Sequence, residues 1–188
     1  IAVSSKRITD LATPTASTDA ATKQYVDDLA QGLNVHEAVQ AASTGTVASM
    51  SGGTTAYDNG TAGVGATITI SGATLTTIDG VTLTAGDRLL IKDEADNTTD
   101  GIYTYTSTTV LTRATDFDTP TEMAGGDFVF VSQGSVYNDS GWVMTDPVAT
   151  VGTSPVLFLQ FSGAGTFTAG AGLTLTGTEF SITDTAVT

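Results

Sequence analysis

The chain has no cysteine. That removes a disulfide framework, thiolate chemistry and every zinc-finger pattern. Basic residues are almost as scarce: 6 Lys and Arg stand against 20 Asp and Glu, a formal net charge of -14. So acidic a surface repels nucleic-acid phosphates and anionic lipid, which argues against binding DNA or RNA by counterion release. Its simplest consequence is solubility. No apolar run approaches the roughly 18–20 residues that a membrane helix needs, so no membrane insertion is expected. No basic stretch followed by an apolar one marks a signal peptide. Lys, Glu and Leu, the usual helix fillers, are few.

What remains is Thr, Gly, Ala, Ser and Val. Thr and Val are stiff at χ1 and pack well on pleated surfaces. The 21 Gly punctuate them at turn spacing. The composition predicts a mainly β protein. A chain of 188 residues can hold one β-domain plus an appendage. It runs from Ile1 to an unfinished Thr-Asp-Thr-Ala-Val-Thr188 and reads as a piece of a longer polypeptide.

Residues 1–16 alternate weakly and reach Pro14, which pushes Thr13 towards an extended conformation. Thr18 or Asp19 can then cap a helix, and Asp19 complements its dipole. The helix is expected over residues 18–31, within a unit spanning 17–33. Ala21, Tyr25 and Leu29, with Val26 and Leu33 one column over, form its apolar stripe. So short a helix is marginal in water, so the stripe must be buried. It can pack on its own domain or about an axis with symmetry copies, and spacing alone favours neither.

Residues 34–162 read as one β-domain, a sandwich or barrel of about eight to ten short strands. A strand opens it between Val35 and Ala42. Turn chemistry follows at Ser49–Thr54 and at Tyr57–Gly60, with Asn59-Gly60 a hairpin signal, and a tight turn at Asp79-Gly80. Arg88–Lys92 is a strand buried on both faces, and 101–106 with 110–113 form a hairpin. Phe128–Val131, Gly141–Met144 and Val156–Phe161 are core strands. Residues 163–188 alternate small and apolar residues, like the start of a further shaft.

Little in the chain suggests catalysis. His36 has no cysteine to pair with, and no Gly-x-Ser-x-Gly elbow is present, so it reads as a packed or solvated residue. Read from Asp96, the run Asp93–Gly101 offers oxygens at alternating positions and Gly101 at the sixth, as a calcium loop does. Its twelfth position is Ser107, where a bidentate Glu belongs, so a solvated acidic turn is the cheaper reading. Asp116 and Asp118 with Glu122 could serve equally as carboxylate ligands or as a glycosidase pair, but their spacing specifies neither, and hydrolysis needs a defined separation. Tyr57, Tyr103, Tyr105, Tyr137 and Trp142 could stack on sugars; Trp142 reads as core and Tyr57 as the best surface candidate. No metal, cofactor or catalytic residue is expected.

From Ile8 to Pro14 and on through Asp19-Ala20-Ala21-Thr22-Lys23-Gln24-Tyr25-Val26-Asp27, the chain resembles the linker recurrent in tail fibres of tailed bacteriophages. Gly32–Ala42 is similar to the strand that opens a fibre β-domain. Ile78–Val81, Ala85–Lys92, Asp100–Tyr103, Arg113–Asp118, Phe128–Val131, Gly141–Met144 and Phe158–Gly165 follow in the family's order. Departures fall at residues 44–66 and at His36. The resemblance implies a homotrimeric, virion-borne structural segment without catalysis of its own. It moves the stripe of Ala21, Tyr25, Val26, Leu29 and Leu33 towards axial packing. Implied partners are further copies of the chain, other tail, fibre or baseplate proteins, and a host surface glycan or protein. The insertion at 44–66 would be the contact loop. A depolymerase or glycosidase fragment and a bacterial surface adhesin module are the alternatives.

Overall fold

The computed structural model describes residues 34–162, together with 11, 12, 14, 18, 20–22, 173–176 and 179–182. Strands make up 38% of the described residues and helical residues 6%.

The opening segment is shared between two sheets. Val35 bridges Phe128 and Val39 bridges Val131, both in parallel. The chain bends at Gln40, and β1 (Ala41–Ala42) pairs in parallel with β6 (Arg88–Ile91), Ala41 opposite Leu89. The strand expected from Val35 to Ala42 is therefore divided, and its halves stitch the two sheets together.

The predicted turn at Ser49–Thr54 begins instead inside a helix, α1 (Val47–Ser51). Thr46 caps it by accepting the Ser49 N–H, and Gly52, at φ 78°, ends it in the left-handed region where glycine is favoured. Five residues are too few to leave a helical period in the sequence. The chain continues into β2 (Thr54–Asp58), antiparallel to β3 (Thr67–Ser71). The 44–66 insertion is thus not a single loop but a helix, an edge strand and a tied connection, and Tyr57 and Asp58, expected in a turn, end the strand. In that connection Asn59 Nδ2 donates to the Val151 carbonyl at 2.9 Å.

Other local readings hold. The hairpin of β4 (Thr77–Ile78) and β5 (Val81–Thr82) turns through Asp79 and Gly80, at φ 48° and 78°. Both are left-handed, as a two-residue hairpin loop requires. β7 (Gly101–Ser107) and β8 (Val110–Arg113) form the expected hairpin, and Leu89, Leu90 and Ile91 of β6 are fully buried. The large sheet has the order β1-β6-β7-β8-β3-β2. The second sheet is β11 (Phe158–Ser162), β10 (Ser140–Met144) and β9 (Phe128–Val131), all antiparallel.

One core lies between the sheets: Leu90 and Ile102 meet Val129, Val131, Trp142 and Met144 around Phe117. Another covers the far face of the large sheet, where Ile68, Leu89, Tyr103 and Leu111 meet Val47 of α1 and Ile78 of β4. Full burial of each such side chain contributes about 1.5–3 kcal/mol. Alternate residues of β6 and β7 feed opposite cores, which accounts for their continuous apolar sequence.

β12 (Leu173–Thr176) and β13 (Glu179–Ile182) pair with each other, Leu173 opposite Ile182; the rest of the shaft expected at 163–188 lies outside the described residues. Of the segment expected at 1–16, Leu11, Ala12 and Pro14 are described. Within the helix expected over 17–33, Thr18 lies in a turn and Ala20–Thr22 are not helical. Ala20 and Ala21 are exposed, so the expected first turn has no apolar face to bury, and a short helix without burial is marginal. Residues 23–33 lie outside the described residues.

Candidate interaction surface and polar clusters

One face of the second sheet carries exposed apolar side chains. Directly paired residues share a face of a sheet. Val143 pairs with both Phe128 and Leu159, and Phe128 bridges Val35. These four residues therefore form one apolar row across β9–β11 and the entering segment. Phe130, opposite Gly141, extends the same face. A register shift between Gly141 and Trp142 frees Phe161 from pairing, and its ring meets Phe128 edge-on at 5.1 Å. Val35 is 62% exposed, Leu159 60% and Phe161 59%.

The pairing edge of β11 is bare as well. Among the described residues no strand pairs with it except β10. The run Leu157-Phe158-Leu159-Gln160-Phe161-Ser162 holds no charge and no proline. Monomeric proteins blunt such edges with Lys, Pro or a covering element. An uncharged exposed edge joined to an apolar face marks a contact surface.

Five trimer-contact residues are expected from the sequence: Ala21, Tyr25, Val26, Leu29 and Leu33. Ala21 is exposed, and Tyr25, Val26, Leu29 and Leu33 lie outside the described residues. The sequence reading placed Phe128–Val131 and Val156–Phe161 wholly in the core. Only the alternate residues Val129, Val131, Val156 and Phe158 pack there.

The run Asp93–Asp100 is not a solvated turn. Asp93 accepts from Ser43 Oγ at 2.7 Å and Lys92 Nζ at 2.8 Å. Glu94 Oε1 accepts the N–H of Val47, at the start of α1, at 2.6 Å. Asp100 is 2% exposed and accepts the Glu94 N–H at 3.0 Å. Burial, with the Glu94 and Asp93 charges adding to it, pushes the Asp100 carboxyl up to about 8. Burial also raises Glu94. The acidic run thus locks a loop against α1, and among the described residues no group of three or more acidic or histidine side chains is placed to hold a metal ion.

Behind that loop lies a fully buried cation. Arg113 donates through Nη1 to the Asp100 carbonyl at 3.1 Å. Through Nη2 it reaches the Thr99 carbonyl and the hydroxyls of Tyr103 and Tyr57. Its guanidinium lies over the Tyr103 ring, 4.9 Å from the centroid. Gly101 has φ 149°, and a Cβ there would strike the Arg113 guanidinium. Sequence alternation on β8 did not announce an arginine in the core.

His36 is buried, its Nδ1 3.6 Å from Asp116 Oδ2 and its Nε2 3.3 Å from Asp127 Oδ2. Its ring packs edge-on against Phe117. Among the described residues no hydroxyl hydrogen-bonds to it. Asp116 is gripped by Arg88 in two parallel hydrogen bonds, at 2.9 and 2.8 Å. Burial pushes the Asp116 carboxyl up, but that guanidinium outweighs it and holds it below its usual range. Asp118 is raised by burial and then by the Glu122 charge, and its backbone N–H donates to Glu122 Oε2 at 3.3 Å.

Most of the aromatic residues are spoken for. Tyr105 is buried and donates to the Leu75 carbonyl at 2.6 Å. Tyr103 is buried on Arg113. Tyr137 and Trp142 sandwich Lys92 Nζ, at 4.2 and 4.6 Å from the ring centroids. Tyr57 borders an open pocket. No protein-family model, no curated protein and no solved structure matches the chain.

Proposed function

We propose that the chain is a structural segment of a homotrimeric bacteriophage tail fibre, whose copies meet through the bare face and edge of β9–β11. The apolar row of exposed Val35, half-buried Phe128 and Val143, and exposed Leu159, with exposed Phe161 beside it, carries this reading. Each copy bears a net charge of -14, so copies repel except where they meet through uncharged surface. The six apolar side chains of this face supply such a surface. The chain also enters at Asn34 and leaves after Ser162 on this same sheet, so an assembly formed here keeps its flanking segments together. In this reading the protein joins fibre segments in the virion and presents the opposite side of the domain to a host surface. It needs no catalytic residue and no cofactor.

Light scattering on the 188-residue chain tests the proposal. The expected mass is three times the 19.0 kDa of one copy. The double variant Leu159→Asp, Phe161→Asp should give a monomer with an unchanged β-sheet circular-dichroism spectrum. A wild-type monomer at tens of micromolar, or a double variant that still assembles, would sink the proposal.

A further inference from the structure

On the other side of the domain, β2 and the 94–99 loop enclose a pocket of about 250 Å³. Thr55 and Tyr57 of β2 form one wall, Ile68 of β3 the floor, and Glu94, Asp96 and Thr99 the opposite wall. We propose that this pocket binds a single neutral sugar ring of a glycan, stacked on Tyr57 and held through its hydroxyls by Glu94 and Asp96. The proposal rests on the fibre reading for its biological setting, the host surface, but not for its chemistry.

The Tyr57 ring is fixed before any ligand arrives. Its hydroxyl donates to Asn59 Oδ1 at 2.8 Å and accepts from Arg113 Nη2 at 3.3 Å. Arg113 is itself 1% exposed and anchored by two carbonyls and the Tyr103 hydroxyl. A locked aromatic face offers apolar area without an ordering cost on binding. One face of a sugar ring presents C–H groups, which suit such a surface.

The acidic wall is equally fixed. Glu94 commits Oε1 to the Val47 N–H, and Asp96 commits Oδ1 to the Thr98 N–H at 3.1 Å and hydroxyl at 2.8 Å. Each carboxylate keeps one oxygen, Glu94 Oε2 and Asp96 Oδ2, without a hydrogen-bond partner among the described residues. Neighbouring hydroxyls of a sugar are donors that two such acceptors can take together. The same two charges repel phosphate, sulfate and carboxylate groups. Acidic sugars and nucleotides are therefore excluded. The volume falls below the range of drug-sized sites, so one ring fits and an oligosaccharide does not.

The test titrates the 188-residue chain with glucose, galactose, mannose and N-acetylglucosamine, with glucuronic acid as the anionic control, by amide NMR. At least one neutral sugar should shift the resonances of Tyr57, Glu94, Ala95 and Asp96 saturably, and glucuronic acid should not. Asp96→Asn keeps an oxygen for Thr98 but presents an NH₂ to the ligand. It should weaken binding about tenfold, the loss of one hydrogen bond to a charged acceptor. Tyr57→Ala should abolish binding and Tyr57→Phe should largely retain it. Should Tyr57→Ala fail to fold, the Asp96→Asn result decides. No saturable shift with any neutral sugar, or equal affinity in Asp96→Asn, overturns the proposal. Mass measured on the same samples separates the two readings: a trimer that binds no sugar removes the pocket alone, and a sugar-binding monomer removes the fibre alone.

Discussion

Replacing Asp100 with Asn should make the protein more stable at neutral and alkaline pH. Asp100 is 2% exposed, and its Oδ1 accepts the Glu94 N–H at 3.0 Å, a bond that Asn can keep. Arg113 binds the Asp100 carbonyl oxygen and not its carboxylate. Burial above all, then the charges of Glu94 and Asp93, raises the carboxyl from its ordinary 3.8 to about 8; the Glu94 N–H and Lys92 oppose this and lose. The folded state therefore binds this proton more tightly than the unfolded chain. Its contribution is complete below about 3.8 and is lost as pH rises to about 8. At about 1.36 kcal/mol per pK unit the whole gap sets a ceiling of about 6 kcal/mol. The effective dielectric of real sites is nearer that of a wet interior, so about 2–4 kcal/mol is the expected gain for the variant at pH 9. Urea unfolding of both proteins at pH 4, 7 and 9 reads it directly. The difference between the two should be small at pH 4 and grow to pH 9 in favour of Asn. A variant less stable than wild type at pH 9 would refute the reasoning, because Asp100 would then be ionised and serve as counter-charge to Arg113.

Two further perturbations probe the same framework. Arg113→Met should cost about 2–4 kcal/mol, since the Thr99 and Asp100 carbonyls lose a charged donor inside the core; urea midpoints within error of wild type would contradict the buried hub. Gly141→Ala places a Cβ 2.6 Å from Ser162 Oγ and 2.7 Å from the Phe128 ring. It should cost about 1–3 kcal/mol by overpacking, and should shift Phe128 and Phe161 ring resonances together; unmoved Phe161 signals would show that the two rings are not coupled.

Local signals carried a good part of the fold. The Asp79-Gly80 turn was legible because a two-residue hairpin demands left-handed residues, and few types accept that backbone. β6 was legible because strands buried on both faces lose their alternation. α1 was not, being shorter than the window in which a helical period can be recognised. The acidic run 93–100 misled for a related reason. Exposure is the usual fate of carboxylates, and only the return of α1 and β1 over the loop gives Asp93 and Glu94 their donors. Tyr57 was singled out from its place beside an Asn-Gly turn, but the carboxylates facing it come from a loop 37 to 39 residues further on.

By itself, then, the sequence determined that this is a mainly β protein, where most strands run and where several turns fall. These depend on near neighbours: χ1 stiffness, positive φ and the two-residue repeat. The tertiary structure alone decided which faces those strands cover. A two-residue repeat says that Phe128 and Val129 point to opposite sides. Whether either side is buried depends on sheets assembled from residues far apart in the chain, and here that assembly covers Val129 and leaves Phe130, Leu159 and Phe161 bare.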